Sequence, residues 1–350
     1  MTWREPIGVV AAIVPYNSPS FLWAQKVAPA LCAGCTVVCK PSELAPLGVT
    51  RLVALLHEAG LPPGVVNLVH GPAEPTARAL VEHPGVDMIT FTGSVAAGES
   101  IARAAAVGSR RSVLELGGKS ATIVFSDAPD PGAAGLATAA GVSVGMSGQS
   151  CATSTRLLAH RDVYDAVLEG AARVASVVRQ GSPFDLDTTS AALITDAHAR
   201  RVLSIVEAGV DEGARVVVGG GRPGGELAGG NWVEPTVFAD VDPASALAQT
   251  EIFGPVLSVI SFADEDEAVR LANDSSFGLA ARIVTADVGR GLRMARAIRA
   301  GTVGINAWEL VPNAPFGGYR ASGTGREGGR FGIEEFTELK TVHVAPGAVG

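Results

Sequence analysis

The sequence is poor in charge, in aromatic rings and in cysteine. Of 350 residues, 18% are charged and 5% aromatic, against 47% hydrophobic. The apolar content is therefore mostly Ala, Val and Leu, which suits tightly layered α/β packing. No Lys/Arg run occurs and the net charge is −8, so a nucleic-acid partner is not expected. No apolar stretch reaches the roughly 18 residues of a membrane span; the Ala-rich stretch 133–144 is too short and too rich in small residues. The start, Met1-Thr2-Trp3-Arg4-Glu5-Pro6, lacks a basic region followed by an apolar one, so no signal peptide is expected.

Four cysteines without secretory context read as reduced thiols, consistent with a cytoplasmic protein. Cys32-Ala33-Gly34-Cys35 is formally a C-x-x-C, but no second pair and no His pair completes a metal site. The expectation is small buried side chains at a helix end and, with Cys39, in the next strand. The six histidines never pair at ligand spacing. Three familiar motifs fail. No G-x-G-x-x-G follows the first strand, and no G-x-S-x-G is present. Gly118-Lys119-Ser120 resembles the end of a phosphate loop, but the required first glycine is Val113.

What is present is alternation. Apolar runs at 7–14, 36–39, 65–69, 88–91 and 112–116 are separated by helical spacing at 21–33, 47–59, 75–82 and 96–106. Gly117-Gly118 then punctuates the chain. A second series has strands near 121–125, 156–159, 256–262, 281–284 and 302–305, and helices near 164–179, 196–213, 264–273 and 288–298. Short apolar strands between helices predict parallel sheets covered on both faces, in two α/β domains. Gly-rich 219–230 is not followed by a helix start and reads as a surface connection. The alternating tail 338–344 reads as an edge strand for another subunit.

Five local signals carry chemistry. Cys151, in Gly148-Gln149-Ser150-Cys151, follows a Gly/Ser-rich stretch that backbone can approach closely. Glu115 sits between Leu114 and Leu116 at the end of an apolar strand, where burial would raise its pKa and make it a base near neutral pH. Pro15-Tyr16-Asn17-Ser18-Pro19 fixes a loop and holds the Asn17 amide in one direction, as an oxyanion hole requires. Cys39-Lys40-Pro41-Ser42-Glu43 offers a donor and an acceptor to the two hydroxyls of a ribose. Phe91-Thr92-Gly93-Ser94 precedes a helix whose amides and dipole would face a pyrophosphate.

Together these residues resemble the aldehyde dehydrogenase superfamily. Further matches are Glu251-Ile252-Phe253-Gly254-Pro255-Val256, Asn306 after Gly301-Thr302-Val303, and Pro315-Phe316-Gly317-Gly318-Tyr319-Arg320 with Ser322-Gly323. The motifs keep the family's order from about Arg4 to Val344; singly they are weak, in order they are specific. The resemblance implies two Rossmann-like parallel-sheet domains and a C-terminal oligomerisation strand. The division expected is 1–116 for a partial NAD-binding domain, 117–325 for the catalytic domain and 326–350 for the tail. It implies Cys151 as nucleophile, Glu115 as the base that activates water, and Asn17 with the Cys151 N–H as oxyanion hole. Lys40 and Glu43 match the adenine-ribose contacts, Gly93, Ser94 and Gly117 further cofactor contacts, and Glu251 and Phe253 those to the nicotinamide end. The implied activity is NAD-dependent oxidation of an aldehyde to a carboxylic acid by a homodimer or homotetramer, with no metal. NAD is favoured over NADP because Glu43 would repel a 2′-phosphate. Two alternatives stand beside it: a semialdehyde dehydrogenase that transfers the acyl group to coenzyme A, and an inactive homologue acting as a structural or binding subunit.

The sequence departs from the pattern in places. Tyr16 stands where Trp is usual, Cys35 where Asn is common, and the segment after Gly71 lacks a frequent glycine pair. A family chain carries a further segment before Arg4-Glu5-Pro6; the resemblance implies that roughly a quarter to a third of the usual length is missing.

Overall fold

The computed structural model describes residues 1–307 and 311–345. The chain divides into two compact units. The first is Met1–Leu116, Val311–Gly317 and Gly323–Gly350; the second is Gly117–Leu310 and Gly318–Ser322. The change at 116/117 falls on Gly117-Gly118. The second change is not contiguous: 311–317 and 323–325 belong with the first unit, which a division at 325/326 does not describe.

The first unit begins with β1 (Thr2–Pro6), β2 (Val9–Val14), α1 (Pro19–Cys32), β3 (Thr36–Pro41), α2 (Leu47–Glu58) and β4 (Val66–Leu68). It continues with α3 (Arg78–Glu82), β5 (Met88–Thr92), α4 (Val95–Ala106) and β6 (Arg111–Glu115). The second unit holds β7 (Ala121–Val124), α5 (Pro131–Ser143), β8 (Arg156–His160), α6 (Tyr164–Ala175), α7 (Asp196–Asp211), β9 (Arg215–Val218) and β10 (Thr236–Ala239). After these come α8 (Ala246–Gln249), β11 (Val256–Phe262), α9 (Glu265–Asn273), β12 (Ala280–Val284), α10 (Val288–Ala297) and β13 (Thr302–Ile305). The first unit is completed by β14 (Gly323–Thr324), α11 (Gly329–Glu334) and β15 (Thr337–Thr341).

The sheet of the first unit has the order β14-β6-β5-β2-β3-β4. Its strands are parallel except β14, which is antiparallel to β6. The chain starts at β2, builds outward through β3 and β4, then returns to the other side of β2 with β5 and β6. That reversal opens a crevice at the carboxyl ends of β2 and β5, the place where open α/β sheets bind ligands. Val-Val-Ala-Ala-Ile-Val of β2 can be wholly apolar because both faces are covered. Val10, Ala12 and Val14 join a core with Trp23, Val27 and Val49, while Ala11 and Ile13 join one with Ile89, Phe91 and Ile101.

The sheet of the second unit runs β13-β12-β7-β8-β11-β10-β9, parallel except for β9. One face packs Ile123, Leu158 and Ile260 against α7, whose Ala199, Val202 and Val206 recur at helical spacing. The other packs Val124, Leu157 and Val259 against α5 and α6. Each fully buried Val, Leu or Ile contributes about 1.5–3 kcal/mol. Caps fix the helix starts: Thr195 accepts from the His198 N–H, and Asp264 from that of Glu267.

Several expectations need correction. α5 lies outside the helices that the sequence predicts, since its Ala/Gly run has no apolar stripe. Its start is nonetheless marked, because Asp130 caps the Ala133 N–H and Pro131 takes the first position. Strands β1, β9 and β10 also lie outside the predicted strands. The tail strand lies at Thr337–Thr341 and pairs antiparallel with β1, Trp3 opposite Lys340. Cys35 and Cys39 are buried as expected, but Cys32 is exposed.

Candidate active site

In the first unit a cleft of about 750 Å³ opens at the carboxyl ends of β2, β3 and β5. Four of the expected residues line it: Lys40, Glu43, Gly93 and Ser94. Lys40, the penultimate residue of β3, is buried, and its Nζ donates to Glu43 Oε2 at 3.2 Å and to the Pro41 carbonyl at 3.1 Å. Burial alone would raise the Glu43 pKa; its own backbone amide and Lys40 outweigh this and hold it below the usual value. An ionised acceptor thus stands beside a cation, a set that suits two vicinal hydroxyls. Ser94 caps α4 by accepting from the Ala97 N–H at 3.4 Å, which leaves the positive end of a three-turn helix beside the cleft. At Gly93 a Cβ would collide with the Phe91 ring. Cleft, donor–acceptor pair and helix end together fit the adenosine and phosphates of a dinucleotide.

Glu115 ends β6, between Thr92 of β5 and Gly323 of β14. Only 2% of it is exposed. Among the described residues neither carboxylate oxygen has a hydrogen-bond partner. β6 is buried at Val113, Leu114 and Glu115, so the carboxyl lies beneath the surface of the unit. Gly317 lies close above it; a Cβ there would be 2.6 Å from Oε1. Burial pushes the Glu115 pKa well above the carboxylate range, and the charge of Glu327 adds to the rise. Lys26 and Arg326 act the other way. Lys26 on α1 and Glu327 form a buried ion pair, with Lys26 fully enclosed. No local pattern in the sequence marks either residue, as they lie 301 positions apart. Asn17 sits half-buried in the short turn between β2 and α1, two residues before Pro19 opens the helix.

In the second unit Cys151 lies half-buried on the segment joining α5 to β8. That segment is held at several points. Gly145, Ser147 and Gly148 have φ of +71°, +52° and +74°, a conformation that costs little for glycine and more for serine. A Cβ at Gly148 would collide with the Gly254 carbonyl, and one at Gly118 with that of Cys151. Gln149 Oε1 accepts from the Ile194 N–H at 3.0 Å, and its Nε2 donates to the Met146 carbonyl at 3.0 Å. Gly118 therefore allows close packing on the Cys151 backbone, not only a turn.

Glu251 is brought to the same place. Its Oε1 accepts from the Gly118 N–H at 2.9 Å, and a Cβ on Gly117 would collide with its carboxylate. Burial raises its pKa, against the Gly118 N–H, Arg201 and Lys119. Arg201 donates to the Glu251 and Ile252 carbonyls at 2.8 and 2.9 Å. Phe253 follows with φ of +57°, rare for a bulky residue. It is held by His198, whose Nε2 lies 2.7 Å from the Phe253 carbonyl and whose ring meets the phenyl edge to face. Lys119 is enclosed nearby. Burial and the Arg156 charge lower its pKa to about 7, although Glu251 opposes them. Among the described residues no group of three or more His, Cys, Asp or Glu is arranged to hold a metal ion. No helix among them is long and apolar enough to cross a membrane.

Known proteins resemble this chain over almost its whole length. The model of the aldehyde dehydrogenase family matches residues 1–342. An NADP/NAD-dependent aldehyde dehydrogenase of Escherichia coli (strain K12) is 44% identical over 347 residues, covering 99% of this chain and 69% of the relative. A betaine aldehyde dehydrogenase of Cereibacter sphaeroides (strain ATCC 17029 / ATH 2.4.9) is 43% identical, with 99% and 71% covered. The crystal structure of a Mycobacterium tuberculosis aldehyde dehydrogenase complexed with NAD+ superposes with a TM-score of 0.95 at 45% identity, covering 99% of this chain and 71% of that one.

Proposed function

The chain belongs to the aldehyde dehydrogenase family, and from that premise we propose that it oxidises an aldehyde to a carboxylic acid with NAD, through a covalent thioester on Cys151. Lys40, Glu43, Gly93 and Ser94 would hold the adenosine and phosphates, and Gly117, Glu251 and Phe253 the nicotinamide end. NAD, when bound, supplies the acceptor for the hydride that leaves the substrate carbon. The ionised Glu43 disfavours a second phosphate on the ribose.

The Cys151 thiolate forms a bond to the aldehyde carbon, and the carbonyl electron pair moves onto oxygen. The Asn17 amide and the Cys151 N–H donate to that oxyanion. Loss of hydride re-forms the C=O bond and leaves the thioester. Glu115 then takes a proton from water, hydroxide adds to the thioester carbon, and the C–S bond breaks to return the Cys151 thiolate. Lys26 and Glu327 stand beside Glu115 as a buried charge pair that sets how readily it gains and loses the proton.

The single observation behind this reading is the Glu115 carboxyl: buried, without a partner on either oxygen among the described residues, and with its pKa raised well above the ordinary value by burial. The test is NADH formation with aliphatic, aromatic and semialdehyde substrates, repeated in Glu115→Gln. The variant should give a burst of NADH and then stall as the acyl-enzyme. Steady turnover would count against Glu115, and absence of NADH from the folded parent against the whole reading. Assembly into a dimer or tetramer is a separate proposal, read by sedimentation.

A further inference from the structure

The loop that leads into Cys151 is tied repeatedly to one neighbouring segment, residues 189–194, between α6 and α7. The Gly145 N–H donates to the Thr189 carbonyl at 2.8 Å, and the Ala191 N–H to the Gly145 carbonyl at 3.1 Å. Ser147 is buried, with its hydroxyl on the Ala191 carbonyl and 2.7 Å from the Ser190 hydroxyl. Gln149 is buried too and uses both ends of its amide. Its Oε1 accepts from the Ile194 N–H at 3.0 Å, while its Nε2 donates to the carbonyls of Met146 at 3.0 Å and Ala192 at 3.4 Å. One N–H and two carbonyls suit the amide in a single orientation. The anchor is itself fixed. Leu193 belongs to a core of the second unit, and its N–H donates to the Asn231 carbonyl at 2.8 Å. Ile194 runs directly into Thr195, the cap of α7.

These bonds hold a backbone that does not hold itself. Ser147 has φ of +52° and Gly148 +74°. Glycine would take the first of these at less cost, yet the position carries a hydroxyl that is bonded to the anchor. A conformation kept against its cost by surrounding bonds is a pointer to function. What it steers lies just beyond. The Ser150 carbonyl accepts from the Thr153 N–H at 3.4 Å. The peptide between Ser150 and Cys151 is trans and planar, so the Cys151 N–H points away from that turn. The Gln149 amide fixes the chain on one side of this peptide and the turn fixes it on the other.

We propose that Ser147 and Gln149 are positioning residues, which aim the Cys151 N–H at the oxyanion. They act through the backbone and not on the substrate. This rests on Cys151 being the nucleophile of an aldehyde dehydrogenase.

Two reactions of one thiolate test the aim. Acylation by 4-nitrophenyl acetate forms the C–S bond through a tetrahedral oxyanion and expels 4-nitrophenolate. Alkylation by iodoacetamide displaces iodide at a saturated carbon and builds no oxyanion. Both are followed at Cys151 by peptide mass spectrometry. Gln149→Met keeps the length of the side chain and removes its hydrogen bonds. It should lower the ratio of acylation to alkylation rate by roughly tenfold to a hundredfold, up to the loss of a whole oxyanion donor. Alkylation, which reads the thiolate alone, should stay within about twofold of the parent. An unchanged ratio overturns the proposal, and so does a parallel fall of both rates, the mark of a displaced thiol. If Gln149→Met does not fold, Gln149→Glu is judged by the same ratio, since it keeps the acceptor for Ile194 and sets a carboxylate against two carbonyls. If the parent forms NADH from aldehydes and the variant keeps the ratio, the positioning role alone fails. If the folded parent forms no NADH, the dehydrogenase reading fails, and the ratio still decides whether Gln149 aims the N–H.

Discussion

Lys119 gives the sharpest quantitative prediction. It follows Gly117-Gly118, is 1% exposed, and its Nζ has no hydrogen-bond partner among the described residues. Burial and Arg156 lower its pKa from 10.5 to about 7. A lysine depressed in this way is neutral in the fold and charged in the unfolded chain throughout that window. The unfolded state therefore binds more protons, and stability rises with pH by about 1.4 kcal/mol per unit. The contribution is whole above the unfolded pKa and is lost as pH falls toward about 7. The span of the shift corresponds to roughly 5 kcal/mol. Lys119→Met keeps the bulk and removes the proton. Guanidinium unfolding of parent and variant in parallel cancels every other titrating group. Between about pH 8 and about 9.5 the parent should gain about 2 kcal/mol on the variant, which itself should be the more stable near neutrality. A difference that stays flat within about 0.5 kcal/mol over that interval would show that Lys119 keeps its charge in the fold, and the argument from burial would fail.

The remaining predictions concern turnover. Asn17→Ala removes one donor to the oxyanion and should slow kcat by roughly a hundredfold or more; near-normal turnover excludes that role. Hydrolysis of the thioester needs ionised Glu115, so its rate should rise with pH through the raised pKa. Glu327→Gln removes a neighbouring negative charge that contributes to the rise, so the limb should move to lower pH in single-turnover hydrolysis, and an unmoved or higher limb refutes the coupling. Glu43→Gln should raise the NADP-to-NAD ratio of kcat/KM by about three- to tenfold, a screened repulsion at an exposed site. An unchanged ratio would place cofactor choice elsewhere.

Much of this architecture was legible because the signals were local. The strand–helix alternation of both units could be read from apolar runs and glycine punctuation, and the order of short motifs named the family. Elements were lost where local pattern was weak. α5 has no polar face to set a period, and only Asp130-Pro131 announces it. Thr2–Pro6 carries no alternation, and its strand partner lies at the other end of the chain, Trp3 opposite Lys340. The switch between units at 311–323 has no composition boundary, because it is made by long-range pairing such as Thr324 with Leu114.

Charge was the harder case, and for one reason. Sequence reading assigns Lys, Arg and Glu to the surface unless a neighbour argues otherwise. Glu115 had such neighbours: apolar residues flank it in a strand covered on both faces. Lys26, Lys119, Arg282 and Glu327 had none. Lys26 lies on a helix that buries Trp23, Val27 and Ala30, so its enclosure depends on Glu327 arriving from the far end of the chain. Arg282 is placed by the pairing of β12 between β7 and β13, which no spacing within 280–284 reveals. Because enclosing a charge costs several kcal/mol unless a partner offsets it, such residues persist where they tune a proton or receive a ligand. Lys26 and Glu327 have each other. Arg282 has the Thr122 position beside it in the sheet, and its Nε finds no partner among the described residues.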